Sequence, residues 1–101
     1  MVSRLNLHNE LIKILGSNSV YFQPPENIKI SYPCIVYSVD GYYTDHADNL
    51  VYRNKTRYSL TLIDRNPDTP LVNGLINLPL CRFDRAYDAD NLHHYTFSIY
   101  Y

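Results

Sequence analysis

The sequence predicts an α+β fold in which an antiparallel β-sheet has two helices packed on one face, in the order α-β-β-β-α-β-β. Three observations support this prediction: an apolar stripe with helical spacing near the start, a short helical pattern after a proline-rich break, and alternating segments elsewhere. Because 101 residues are enough for one hydrophobic core, we expect residues 1–101 to form a single domain.

The first predicted element is a helix from Ser3 to Leu15. Its apolar face is formed by Leu7, Leu11, Ile14 and Leu15, which recur at helical spacing, and Leu5 and Ile12 flank this face. Ser3 can cap the start, and Gly16 can end the helix in the left-handed conformation. A helix lying on a membrane surface is the alternative, but the polar face is poor in Lys and Arg, so we expect packing on the sheet.

Three strands are expected next. Val20–Phe22 is a short extended segment that ends at Pro24-Pro25, because proline cannot donate to a sheet ladder. Cys34–Val39 is apolar except for Ser38, as expected of a buried strand. Arg57–Asp64 alternates between apolar and polar residues, which is typical of a half-buried antiparallel strand. Its predicted inward residues are Tyr58, Leu60 and Leu62.

A polar and aromatic segment, Tyr42–Asn54, separates the second and third strands. We interpret it either as a long hairpin arm or as a mobile loop. Its turn would be centred near Ala47-Asp48-Asn49, where Asp and Asn can hydrogen-bond the nearby backbone.

A second helix is predicted over Pro70–Leu78. Asp68 or Thr69 can cap it, and Pro70 suits its first position. The final elements are two strands, Cys81–Tyr87 and Leu92–Tyr101, joined as a hairpin. The residues predicted to share one face of the last strand are Tyr95, Phe97, Ile99 and Tyr101.

Composition narrows the possible functions. The net charge of −1 gives neither a basic field for nucleic acid nor an acidic tail. Eleven tyrosines in so short a chain have two interpretations: surplus contact surface for protein partners, or simply a β-rich chain that uses Tyr as a strand former. Single-stranded nucleic acid could stack on the aromatic residues of the Tyr42–Asn54 segment, but Asp45 and Asp48 in it would repel phosphate.

No constellation of residues indicates an enzyme, a metal site or a cofactor site. Asp84, Asp88 and Asp90 have a spacing that could serve a hard cation, yet Asp is also what a turn requires. His93 and His94 are adjacent, so on a strand they would point to opposite faces and could not bind one metal together. We therefore expect no catalytic residues, no metal and no cofactor.

The two cysteines, Cys34 and Cys81, lie in apolar strand-like segments and are expected to be core thiols. We expect no signal peptide, because polar residues interrupt the first apolar stretch. No segment approaches the roughly 20 apolar residues that span a bilayer. Synthesis in a cytoplasm without membrane association is the expectation.

Several segments together resemble a known family. These are "YPCIVY" at residues 32–37, "ADNLVY" at 47–52, "RYSLTLIDRNPD" at 57–68 and "YDADNLHHYTFSIYY" at 87–101. With the two helices between and before them, they resemble the small tail-terminator proteins of long-tailed bacteriophages, also described as minor tail or tail-completion proteins. The likeness extends from Leu5 to Tyr101, and "LTLIDRNPD" and the terminal segment carry most of it.

The resemblance implies a structural virion protein of the head–tail junction, made in the host cytoplasm. Subunits would close into a homo-oligomeric, hexameric ring that caps the tail tube and stops its polymerisation. The other face of the ring would dock to the head connector or stopper protein, and DNA would pass through the lumen without specific binding. Such proteins are often monomeric until they meet the tube.

Two sets of site residues follow as hypotheses from the resemblance and the sequence together. Subunit or tube contacts are expected from Tyr42, Tyr43, Leu50, Val51 and Tyr52. Some of the carboxylates of Asp84, Asp88 and Asp90 are expected to face the lumen, where negative charge would keep passing DNA from adhering.

Two alternative functions are open. The chain could be a head-completion or connector protein that binds on the portal side instead of capping the tube. It could also be a small host-directed interaction protein, such as an inhibitor or antitoxin, which would form a one-to-one complex with its target and would not enter particles.

Overall fold

A computed structural model of the chain describes residues 3–24, 29–47 and 50–101, and for residues 3, 42–47 and 50–55 it describes the backbone only. The elements within these ranges are α1 (Ser3–Leu15), β1 (Val20–Phe22), β2 (Cys34–Ala47), β3 (Leu50–Asp64), α2 (Leu71–Ile76), β4 (Cys81–Ala89) and β5 (Leu92–Tyr100). The strands form one five-stranded sheet in the order β1-β2-β3-β5-β4. The α+β class is confirmed, and the predicted element order broadly agrees.

The prediction of a fully antiparallel sheet is wrong, because β1 runs parallel to β2. Val20 pairs with Ile35 and Phe22 pairs with Tyr37, while all other neighbouring strands are antiparallel. A parallel pair requires a crossover connection between its two strands, unlike the tight turn that joins an antiparallel pair. Side-chain alternation reports which face a residue occupies and not the direction of its strand, so the sequence pattern could not reveal this pairing.

One hydrophobic cluster joins both helices to the sheet. Leu7, Leu11 and Leu15 come from α1, and Leu75 comes from α2. The strand residues of the cluster are Val20, Ile35, Tyr37, Tyr58, Leu60, Leu62, Phe97 and Ile99. The predicted inward faces of α1, β3 and β5 are therefore confirmed for their buried residues.

The end of α1 follows its sequence signal. Gly16 has a φ of 78°, and its N–H donates to the carbonyl of Ile12 at 2.8 Å. On the inward face, Nδ1 of His8 lies 2.7 Å from the hydroxyl of buried Tyr37, which gives that polar group a partner. Burial raises the pKa of Tyr37 above its usual value, so the hydroxyl stays protonated.

The second helix is shorter at both ends than the predicted Pro70–Leu78, since α2 begins at Leu71 and ends at Ile76. Pro70 occupies the N-cap position without a side-chain cap hydrogen bond, in place of the predicted Asp68 or Thr69. The hydroxyl of Thr69 accepts a hydrogen bond from the Leu71 N–H at 3.3 Å. Pro79 disfavours helical dihedrals for the residue that precedes it, and this accounts for the earlier end of the helix.

Replacing Gly74 by alanine should destabilise the protein, although alanine is the better helix former. A Cβ at this position would lie 2.9 Å from Cγ2 of Ile14, a branched methyl group close to the α1 backbone. The overpacking cost of about 1–3 kcal/mol outweighs the propensity gain of about 1 kcal/mol. Urea unfolding should show a lower free energy of unfolding for Gly74→Ala than for wild type.

A second substitution provides the control. Ile14→Ala removes the methyl group that the new Cβ would meet, so Gly74→Ala should cost less in that background than in the wild type. An equal cost in both backgrounds would contradict the close approach of the two helices.

Candidate functional site

β2 and β3 extend past the rest of the sheet as a two-stranded ribbon. The β3–β5 ladder ends at Arg57↔Tyr100, whereas β2 and β3 continue to pair as far as Ala47↔Leu50. We call residues 42–47 and 50–55 the arm; within the described residues its strands pair only with each other. The hairpin interpretation of this segment is thus confirmed, and the predicted strands Cys34–Val39 and Arg57–Asp64 were too short.

All five residues proposed to make subunit contacts belong to the arm. Tyr42 and Tyr43 lie on β2, and Leu50, Val51 and Tyr52 lie on β3. Their side chains lie outside the described residues, as does the predicted turn at Asp48-Asn49, so their contact role stays a prediction. The described molecule measures 51 Å along its longest axis and 25 Å and 23 Å along the others.

A charged cluster fixes the base of the arm. Nε of Arg57 lies 3.0 Å from Oδ2 of Asp40, an ion pair that lacks hydrogen-bond alignment at Nε. Nη2 of Arg57 also donates to the Asp40 carbonyl at 3.4 Å. The β2 register shifts between Val39 and Gly41, so Asp40 occupies a bulge at the point where the arm begins.

The same cluster reaches β5. A hydrogen bond to Tyr100, together with the charge of Asp40, raises the pKa of Arg57. Gly41 leaves room for the guanidinium, because a Cβ there would lie 3.3 Å from Nη2. Side chains of three neighbouring strands, β2, β3 and β5, therefore interact at the row where the arm begins.

The three carboxylates proposed to line a lumen have different surroundings. Asp84 accepts a hydrogen bond from the Ser98 hydroxyl at 2.6 Å and lies 3.4 Å from Nε of Arg82. Asp88 lies 2.7 Å from Nδ1 of His93. The β4 register shifts between Phe83 and Arg85, and a bulge of this kind changes which face later residues occupy.

Asp90 has a third setting, the turn of the β4–β5 hairpin. Asp90 and Asn91 have φ values of 54° and 63°, a backbone that Asp and Asn adopt more readily than most residues. The turn interpretation of these residues therefore fits the structure. Among the residues whose side chains the structure describes, no group of three or more His, Cys, Asp and Glu residues could hold a metal ion. The lumen assignment stays a prediction.

Both cysteines are free thiols, and both have a raised pKa. Burial raises the pKa of Cys34 to about 11, and the nearby charge of Asp64 adds to the effect. Burial likewise raises the pKa of Cys81 to about 11, with a further contribution from Asp84. Thiolates are disfavoured at both positions, which is unsuitable for a nucleophile.

Alkylation should reveal this low reactivity. Raising a thiol pKa from 9.0 to about 11 reduces its thiolate fraction near pH 8 about a hundredfold. Iodoacetamide should therefore modify partly exposed Cys81 in the folded protein far more slowly than the same cysteine in urea. Comparable rates in the two states near pH 8 would contradict the raised pKa.

Sequence reasoning missed a second surface, at the edge strand β4. Five large apolar side chains of the described residues are conspicuously exposed, and four of them lie on α2, on β4 or on the turn between them. These four are Ile76, Leu80, Phe83 and Tyr87. In the sequence they belong to ordinary apolar patterns, so only the position of β4 at the edge of the sheet reveals their exposure.

Comparisons with known proteins do not extend these observations. A scan against protein-family models finds no match, and a search of the curated proteins finds no relative. Among the described residues, no helix has the length and apolar character needed to cross a bilayer. The arm, its charged base and the β4 edge are thus the features on which a function can be argued.

Proposed function

We propose that this chain is a structural subunit of a ring that caps the tail tube of a long-tailed bacteriophage. The ring ends tube polymerisation and offers its other face to the head connector. The arm is the observation that supports this proposal best. A two-stranded ribbon is at best marginally stable alone in water, so one that extends beyond the core needs a further surface to pack against.

A ring of identical copies supplies such a surface to every arm. Ring closure requires a heterologous contact, in which one patch of each subunit meets a different patch of the next. The chain has two such candidates: the arm formed by β2 and β3, and the edge strand β4 on the opposite side of the sheet order. The arm residues Tyr42, Tyr43, Leu50, Val51 and Tyr52 provide contacts to a neighbouring subunit or to the tube protein.

Both helices cover the same face of the sheet in this proposal. Leu11 of α1 and Leu75 of α2 share one cluster with Leu60 of the central strand β3. Residues that alternate with the cluster then occupy the other, open face. Their cross-strand rows include Ser38↔Ser59↔Ser98 and Val36↔Thr61↔Thr96. A face rich in hydroxyl groups suits solvent or passing DNA, and the Ser98 hydrogen bond places Asp84 near it.

Tail length in phage lacking this chain tests the proposal. Without a terminator, tube polymerisation continues, so a deletion should yield tails of uncontrolled length that lack heads. Supplying the wild-type chain in the same cells should restore a uniform length. Electron microscopy of negatively stained lysates measures the length distribution directly.

The alternatives predict other results. A head-completion protein would leave free tails of normal length beside unjoined heads. A host-directed protein would leave particles intact and would form a one-to-one complex with a host protein. Normal tail length in the deletion strain would therefore reject the terminator proposal.

A further inference from the structure

Leu80 has an unusual combination of backbone and side-chain properties. Its φ is 60°, a left-handed conformation in which glycine or asparagine is normally found and a bulky residue is rare. Its side chain is also 59% exposed, so burial in this chain does not explain a leucine here. Together with Phe83 on the adjoining strand, this exposed apolar side chain is available for contact with another molecule.

The neighbouring strand can accept another strand. β4 forms the edge of the sheet, and within the described residues its only strand partner is β5. Unpaired N–H and C=O groups on such an edge can pair with an added strand. Phe83, 42% exposed, lies on this strand and packs edge to face against Phe97 with ring centroids 5.5 Å apart. The exposed side chains of Leu80 and Phe83 thus lie beside or on the edge strand β4.

Charge favours one occupant for this edge. The first half of β4 carries Arg82, whose side chain is 81% exposed, and Arg85, also exposed. Between them, Asp84 accepts a hydrogen bond from Ser98 and also lies 3.4 Å from Nε of Arg82, so Arg85 is the cation of this half that Asp84 does not neutralise. The part of β2 that forms the arm has the opposite character, since Asp45 lies in it, Asp48 follows it in the sequence, and residues 42–48 contain no Lys or Arg.

We infer that the outer edge of β4, with Leu80 and Phe83 beside it, receives the β2 strand of the arm from a second copy of this chain. The inference rests on the proposed function and specifies the contact that joins one subunit to the next. It gives the backbone of the arm an additional strand partner, and it gives Leu80 a partner. Because arm and edge are different surfaces, each copy can donate its arm to one neighbour and accept an arm from another.

Disulfide trapping between purified copies tests this contact. One copy carries Arg85→Cys on β4, and the other carries Thr44→Cys or Asp45→Cys at adjacent arm positions that together sample both strand faces. Mixed pairs are incubated in a glutathione redox buffer. The matched control replaces Arg85→Cys by Lys13→Cys, because Lys13 lies on α1 with a side chain that is 74% exposed. The native thiols react slowly because burial raises the pKa of each to about 11.

The mixed disulfide should form about tenfold faster with Arg85→Cys than with Lys13→Cys for at least one arm position, because docking raises the local thiol concentration. Equal rates for both arm positions would overturn the inference. The result is separable from the proposed function. Particles that contain the chain without trapping at β4 would reject only this contact, whereas trapping by a chain that is absent from particles would reject only the virion role.

Discussion

A variant with a shortened arm should fold normally and fail to support tail assembly. In this variant, Asn-Gly replaces residues 43–55 and joins the paired residues Tyr42 and Thr56. Asn-Gly suits the tight turn of a two-residue hairpin. The variant keeps every residue of the hydrophobic cluster and the β2–β3 pairing up to Tyr42↔Thr56, so the free energy of unfolding should stay within about 1 kcal/mol of wild type. Urea unfolding and complementation of a deletion phage provide the two measurements.

Complementation should fall to the level of the deletion, because the shortened chain keeps its core but lacks one side of the subunit contact. A second variant separates the effect of the arm side chains from the effect of arm length. It keeps the full ribbon and replaces Tyr42, Tyr43, Leu50, Val51 and Tyr52 by serine. We expect it to fail as well, since these side chains are the proposed contacts. Wild-type complementation by the shortened chain would show that the arm has no role in assembly.

Replacing Phe97 by alanine should have the largest effect on stability. Phe97 is fully buried on β5, opposite Leu60 of β3 and Phe83 of β4. Removing a buried phenylalanine side chain costs about 3–5 kcal/mol, from lost transfer free energy and from the cavity that remains. Much of the marginal stability of so small a domain would be lost. Urea unfolding should show a midpoint well below that of wild type.

Phe83→Ala is the natural comparison. Its ring is 42% exposed in the isolated chain, so its loss removes part of one aromatic pair and far less buried area. The expected cost is about 1–2 kcal/mol. If the two substitutions were equally costly, the assignment of Phe97 to the core and of Phe83 to an exposed edge would be wrong.

Elements with strong local patterns were predictable from the sequence. The bounds of α1, Ser3–Leu15, agree with the prediction, because leucines at helical spacing and a glycine at the end give independent signals. The inward residues Tyr58, Leu60 and Leu62 were found because period-two alternation directly reports the buried face of a strand.

Features that depend on distant parts of the chain were not predictable. The parallel β1–β2 pair joins Val20 to Ile35 through an intervening segment, and neither strand carries a mark of its direction. The shift between Phe83 and Arg85 in β4 likewise breaks the simple alternation that a sequence reading assumes. The direction of β1 and the register of β4 depend on contacts between distant parts of the chain, so the local sequence pattern does not predict them.

The candidate site was predicted only in part. Polar and aromatic residues correctly marked Tyr42–Asn54 as a hairpin arm, although a loop was the open alternative. The role of Arg57 at its base depends on Asp40 and Tyr100, which lie on other strands. Leu80 was unpredictable because neither its positive φ nor its exposure follows from the neighbouring residues.

The central claim is that this chain belongs to the head–tail junction of a phage particle. The most direct test is to tag the chain, purify the virions, and locate the tag by negative-stain electron microscopy. The account predicts label at the junction between head and tail in intact particles. Purified virions that contain none of the chain would contradict it and would favour a host-directed role instead.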